Sequence, residues 1–388
     1  MPEQNGWTAP GFEGVRAAFE QNFAEGLEVG AAFSAYHRGQ KVVDLWGGIA
    51  DEETGRPWEE DAIILVFSTT KGLTAVCANK LAQEGRLDVD APVVQYWPEF
   101  GANGKESVPV SYLLSHQTGL YDVDAKLTVA EVLAWDPVVE ALAAQAPYWE
   151  PGSQHGDHAT TYGWLVGEVV RRVSGRSIGT YLRQEIADPL GLDVWIGLPA
   201  DKEPRVAALV GGLVPEADTL DDATRELISQ VMGPESVLGR ALTAPSGALG
   251  MDEWRTAAVR AAEIPAAGGV ADARSLARLY ASCIGEVDGI RVLTPEQIKR
   301  ATTQQTSGPN VVIMGIDLQF GLGFMVSSSV INHSGPNSFG HFGAGGSMGW
   351  ADPDADLAFG YVMNKMAMGL AGDPRTTRLV TACYDAIK

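Results

Sequence analysis

Residues 66–75, "VFSTTKGLTA", close a short apolar run and begin a helical pattern, with Ser68 and Lys71 three positions apart. A serine in front of a helix is most often a cap. Caps are helped by Glu or Gln three residues on, and by negative charge in the first turn, where the helix dipole is positive. This stretch puts Lys71 there instead, an arrangement that costs about 0.3–1 kcal/mol when exposed. Burial lowers the pKa of a lysine further, and a lysine held neutral is a base. Residues three apart share a helix face with Cβ atoms about 5–6 Å apart. The Lys71 amine can therefore reach the Ser68 hydroxyl, which makes the pair a candidate nucleophile and proton acceptor. The apolar run before Ser68 predicts a strand, so the serine stands at a sheet edge with its own backbone N–H aimed into the same cavity, a candidate oxyanion donor.

A second serine competes for the role. Gly345-Gly346-Ser347-Met348-Gly349 matches the Gly-x-Ser-x-Gly pattern of another hydrolase class, which requires a strand before the serine, a helix after it, and Asp then His later in the chain. Ser347 instead leads into "MGWADPDADLAFGYV", two strand-like runs around a turn, and the last histidine, His341, lies upstream. That triad cannot be completed, and with 45 glycines in the chain a five-residue pattern with three fixed positions arises by accident.

Outward from Ser68, "TTKGLTAVCANKLAQEG" reads as a buried helix stopped at Gly85. Upstream, Val15, Phe19 and Phe23 recur at four-residue spacing between Phe12 and Glu25, an amphipathic helix closed by Gly26. "GAAFSAYHRGQKVVDLWGG" predicts a hairpin turning at Arg38-Gly39. Between residues 96 and 268 the pattern changes to many short helices separated by Pro and Gly. Strand patterns return in "DLQFGLGFMVSS", "GSMGWAD" and "DLAFGYVMNK" before a last helix, "PRTTRLVTACYDAI". The expectation is an α/β (α+β) fold in which residues 1–95 and 269–388 build one antiparallel sheet flanked by helices. Residues 96–268 form a second, mainly helical domain, with the site between the two. Residues 201–265 carry no clear period, and their loops are placed to overhang a site.

The 388 residues include 28 Lys plus Arg against 49 Asp plus Glu, a formal charge of −21. Such a surface repels phosphate backbones and anionic lipid, so neither nucleic acid nor a membrane is expected as a partner. Cys77, Cys283 and Cys383 are odd in number and far apart, which suggests core residues and no disulfide framework or zinc motif. The N-terminus lacks a basic start followed by an apolar stretch, and no run of about 18 apolar residues occurs; a cytoplasmic protein is expected. His155-Gly156-Asp157-His158 has metal-like residue types but reads as a polar turn, and His116 as a structural histidine. No metal and no cofactor is expected.

"FSTTKG" resembles the Ser-x-x-Lys box of the serine β-lactamase and penicillin-binding-protein superfamily. Two further boxes agree in order and spacing. Tyr162-Gly163-Trp164 resembles the Tyr-x-Asn box of class C β-lactamases, and His341-Phe342-Gly343 their Lys-Thr-Gly strand. "VPVSYLLSHQTGLYD", "PGSQHGDHATTYG" and "RLDVDAPVVQYWPEF" are similar to this family as well, so the likeness runs over about residues 10–385. Within the superfamily the chain looks most like the family VIII carboxylesterases, many of which carry a Gly-x-Ser-x-Gly that does no chemistry. The resemblance implies the class C β-lactamase-like fold described above, no cofactor, and Ser68 as nucleophile with Lys71 as its proton acceptor. It implies that Tyr162 is the phenol that shares the proton and returns it to the leaving group. It also implies an oxyanion hole made by the N–H groups of Ser68 and Ala344.

Two departures bear on substrate. Trp164 replaces the asparagine that would bind an acylamido group, and is expected as an apolar wall with one donor. His341 replaces a lysine whose charge pairs with a substrate carboxylate, and a mostly neutral imidazole disfavours anionic substrates. With Phe342 and Gly343 completing that strand, and Tyr121 either lining the pocket or packing beside it, the expectation is a carboxylesterase acting on uncharged, short-chain, small-molecule esters. Hydrolysis of amides, including β-lactams and D-amino-acid peptides, is the alternative on the same nucleophile, as is acyl transfer. A non-catalytic binding protein of the same fold is a second alternative, opposed by the presence of Ser68, Lys71 and Tyr162 together.

Overall fold

The computed structural model describes residues 3–214, 221–313, 315–331, 334–367 and 373–388. Its strands are β1 (Gln4–Thr8), β2 (Gly30–His37), β3 (Gln40–Asp51), β4 (Arg56–Pro57), β5 (Ile64–Leu65), β6 (Val194–Trp195), β7 (Val270–Ala271), β8 (Gln319–Phe320), β9 (Met325–Val326), β10 (Phe339–Phe342), β11 (Met348–Asp352) and β12 (Leu357–Met363). The main sheet runs β1-β3-β2-β12-β11-β10-β9-β8, with β4 paired to β3, and every pairing in it is antiparallel. Strands from the two chain ends meet where β2 pairs with β12, Phe33 opposite Tyr361.

The hairpin β2–β3 turns at Arg38 and Gly39, both with positive φ, 51° and 73°, the twist that a two-residue turn needs to join strands. Both faces of the sheet are covered, and the side-chain period of two sorts residues between them. Ala31, Phe33 and Ala35 point into one apolar cluster with Val15, Phe19 and Phe23 of the helix Glu13–Ala24 and Leu379 of the helix Pro374–Ala386. Ala32 and Tyr36 point into the other, with Leu276 and Leu279 of the helix Ala273–Ile284. That helix lies so close to β12 that a Cβ on Gly360 would sit 2.3 Å from the Ala273 carbonyl oxygen. Cys77, Cys283 and Cys383 are buried and unpaired.

The chain leaves the main sheet through a small one, ordered β5-β7-β6, and passes directly from β5 into the helix Thr69–Gln83. Here the stretch expected to be helical contributes a strand, since β6 lies within residues 96–268. The helix Thr69–Gln83 is buried nearly all round, packed against the sheet on one side and the helix Thr161–Ser174 on the other. Ser68 is thereby carried at the junction of the sheet and the helical segment. No helix among the described residues is long and apolar enough to cross a membrane.

Candidate active site

Ser68 occupies the cap position of its helix but makes no side-chain capping bond. Phe67, just before it, has φ +43°, a conformation that costs a non-glycine residue on the order of 1 kcal/mol and persists only where the surroundings enforce it. Lys71 Nζ lies 2.9 Å from Ser68 Oγ, and donates to the carbonyls of Ala159 (2.6 Å) and Ala266 (3.3 Å). Both carbonyls can only accept, so they orient two N–H bonds away from the serine and leave the third position of the nitrogen facing Oγ. Burial pushes the Lys71 ammonium down to about 8, partly opposed by the Asp157 carboxylate, which favours the charged form. The free amine is therefore a minority at pH 7 and grows as pH rises through about 8.

Three imidazoles surround this pair, each buried and each held neutral by that burial. His116 is pushed well below its usual range, and His158 and His341 down to about 3. His158 Nδ1–H donates to the Gly156 carbonyl (2.7 Å) while its Nε2 accepts from the Leu120 N–H (3.0 Å). His116 Nδ1 accepts from the His158 N–H (3.0 Å), which puts its proton on Nε2. His155 bonds the Leu318 carbonyl (3.1 Å), so the histidines of "HGDH" tie loops together. No group of three metal-ligating side chains occurs among the described residues.

Ser347 is buried away from the cavity. Its hydroxyl donates to the Val66 carbonyl (2.7 Å) and lies 3.0 Å from Thr69 Oγ1, so it bolts the loop after β10 to the turn that carries Ser68. The fit is tight: a Cβ on Gly343 would lie 2.1 Å from the Val66 oxygen and 2.2 Å from Ser347 Oγ. Beside this bolt, the backbone N–H groups of Ser68 and Ala344 find no acceptor among the described residues, and both residues line the cavity.

Five expected site residues lie off the cavity wall. The Tyr162 hydroxyl bonds neither Ser68 nor Lys71 and has no hydrogen-bond partner among the described residues. Its ring stacks on His116 (5.0 Å between centroids) and turns its face to Lys71 Nζ, 6.0 Å from the ring centre. The hydroxyl points past Lys71, where a Cβ on Gly323 would meet both it (2.7 Å) and Ala75 (2.6 Å). Trp164 is fully buried beside Trp135 and forms no wall of the cavity. Tyr121 is packed among Tyr148 and Trp149, under the Arg240 guanidinium, and is also off the cavity wall. His341 donates from Nδ1 to the Phe342 carbonyl (2.7 Å) and is 1% exposed, while Phe342 stacks on Trp350 (5.0 Å). These residues support the site from behind.

The walls come from the stretch with no readable period. A cavity of about 260 Å³ opens beside Ser68, lined by Phe67, Leu213, Val214, Met232, Leu242, Leu249, Met251 and Trp254, with Thr160 and Thr243 as its polar side chains besides Ser68. No charged side chain among the described residues lines it.

The β-lactamase family model matches residues 17–382. The chain belongs to the β-lactamase family. Within it, "Esterase/beta-lactamase LipL" of Mycobacterium tuberculosis (strain ATCC 25618 / H37Rv) is 38% identical over 362 residues, 92% of this chain and 82% of that one. A crystal structure of a family VIII carboxylesterase superposes with a TM-score of 0.89 at 38% identity, covering 99% of this chain and 100% of the other. A penicillin-binding-protein homologue from Caulobacter crescentus gives 0.87 at 39% identity, again over 99% and 100%. The β-lactamase family thus accounts for the mixed fold, the antiparallel sheet and the helical segment beside it. Asp157, the carboxylate that bears on Lys71, lies in the His155-Gly156-Asp157-His158 stretch read from the sequence as a polar turn; its link to Lys71 is made only by the fold.

Proposed function

We propose that the protein is a serine carboxylesterase that cleaves small, uncharged esters through an acyl-enzyme. The observation that carries the reading is the apolar, uncharged cavity opening onto the Ser68–Lys71 pair. A carboxylate-bearing substrate finds no cation there, because His341 is neutral and Lys71 is occupied with Ser68 and two carbonyls. The esterases among the similar proteins agree with this.

In acylation, Ser68 Oγ bonds to the ester carbonyl carbon and its proton passes to Lys71 Nζ. The N–H groups of Ser68 and Ala344 receive the charge that develops on the carbonyl oxygen. When the tetrahedral intermediate collapses, the C–O bond to the alcohol breaks and the leaving oxygen takes the proton back from Lys71. Water then repeats the sequence on the acyl-enzyme, giving its proton to Lys71 and releasing the acid and Ser68. An alkoxide leaves with less help from protonation than an amide nitrogen, so two side chains suffice for an ester.

Initial rates on p-nitrophenyl butyrate for the wild type and Ser68→Ala test this, with fluorophosphonate labelling of Ser68 alongside. Turnover and labelling in the wild type, both absent from Ser68→Ala, are expected. A wild type that is inert to esters yet labelled at Ser68 moves the substrate to amides; an unlabelled one makes the chain a binding protein.

A further inference from the structure

Among the described residues, Asp157 is the one carboxylate whose charge bears on Lys71, and its placement is built. Its backbone N–H donates to Asn310 Oδ1 (3.2 Å), and the Ala159 carbonyl, two residues on, holds Lys71 Nζ at 2.6 Å. Its Oδ1 is buried without a hydrogen-bond partner. The nearest ring nitrogen, His116 Nδ1 at 3.7 Å, already accepts the His158 N–H and has no proton to give. A buried, unpaired carboxylate oxygen is costly unless a positive charge compensates it.

The groups that face this space come from several elements. They are Lys71 on the helix after Ser68, His116 in the turn before Gln117, His158 beside Asp157, Tyr162 on the helix Thr161–Ser174, and His341 on β10. Burial holds the imidazoles and the phenol uncharged. Lys71 is the remaining cation.

We infer that Asp157, and not Tyr162, is the third working residue of the site: a positioning carboxylate that sets the basicity of Lys71 and balances the ammonium formed when Ser68 gives up its proton. The inference rests on the roles of Ser68 and Lys71 proposed above. Asp157 exchanges no proton in this scheme. The proton travels from Ser68 to Lys71 and on to the leaving oxygen; burial raises the Asp157 carboxyl from its usual range, and the Lys71 charge beside it favours the ionised form that the scheme uses. The direction of the effect comes from Coulomb's law: a nearby anion favours the charged lysine, so removing it makes Lys71 a weaker base with a lower pKa.

The test is the pH dependence, from 5.5 to 10, of the fluorophosphonate labelling rate at Ser68 and of kcat/KM on p-nitrophenyl butyrate. Labelling reads the free amine of Lys71 without requiring ester turnover. The wild-type rate should rise with pH through about 8. In Asp157→Asn the rising limb should move down by ~1 pH unit or more, and kcat should fall by roughly tenfold or more with KM little changed. Asp157→Glu should return the limb toward the wild-type position, and Tyr162→Phe should leave limb and kcat where they are. If Asp157→Asn does not fold, Asp157→Ser reports the same limb. A folded neutral variant with an unmoved limb overturns the inference, as does a Tyr162→Phe variant that loses the limb or the activity. Loss of ester turnover with normal labelling in the wild type counts against the esterase reading alone.

Discussion

Replacing Ser347 with alanine separates a bolt from a nucleophile. The hydroxyl makes one short hydrogen bond to the Val66 carbonyl and approaches Thr69 Oγ1; the Val66 oxygen keeps a second donor, the Thr69 N–H at 3.2 Å. The loss therefore amounts to about one buried hydrogen bond, ~1–2 kcal/mol. Spread over an unfolding entropy of roughly 2 cal/mol/K per residue for a chain of this length, it lowers Tm by about 1–2 °C. The effect on rate is bounded from above, since complete loss of one oxyanion donor costs ~10²–10³ in kcat. Ala344 would move only in part, because its loop keeps the Gly343 N–H to Ser347 carbonyl bond (2.7 Å) and the Arg375 Nη2 bond to the Gly345 carbonyl (2.6 Å). A fall of roughly tenfold in kcat, with KM nearly unchanged, is expected. Initial-rate kinetics on p-nitrophenyl butyrate and a thermal melt, with Ser68→Ala beside it, measure both quantities. A folded Ser347→Ala as inactive as Ser68→Ala would refute the assignment of the nucleophile; a variant with wild-type kcat and Tm would remove the bolt.

Three more variants probe the same geometry. Gly343→Ala must push the β10 loop off the Val66 carbonyl, so kcat should drop ~10²-fold while circular dichroism stays native; an active variant would mean that Ala344 is not part of the oxyanion hole. Leu249→Phe narrows the cavity, and the ratio of kcat/KM for hexanoyl over acetyl p-nitrophenyl esters should fall ~10-fold or more; an unchanged ratio would place the variable group outside this cavity. Tyr121→Ala removes a ring packed against Tyr148 and Trp149, costing ~3 kcal/mol of stability and leaving the chain-length profile alone; a changed profile in a stable variant would put Tyr121 on the wall.

The parts of the molecule that were legible in the sequence are those whose signal is local. Val15, Phe19 and Phe23 bury one face of the helix Glu13–Ala24, and Arg38-Gly39 turns the hairpin, as their spacing and turn chemistry predict. Ser68 and Lys71 meet because three residues of helix bring them together. The edge strand β1 was hidden, since Gln4–Thr8 holds a glycine with φ +99° and its partner β3 lies far along the chain. The two-residue strands of the small sheet are too short to carry a period. Tyr162 shows the limit most clearly. Its box was recognisable through the resemblance, but the direction of its hydroxyl depends on how the ring lies against His116, a contact between segments 46 positions apart (162 − 116). Most of the cavity wall likewise comes from residues 212–214 and 232–254, whose meeting is set by tertiary packing and leaves no pattern in the chain.

That division of labour has an evolutionary reading. On the proposed function, the atoms that would break bonds are held by the sheet, the buried helix and the Ser347 bolt, whereas the surfaces that would choose a substrate hang from a separate stretch of loops and short helices. A lineage built this way can change its diet by editing one segment while its reaction stays intact, so close relatives should diverge in the esters they accept well before they diverge in how they cut them.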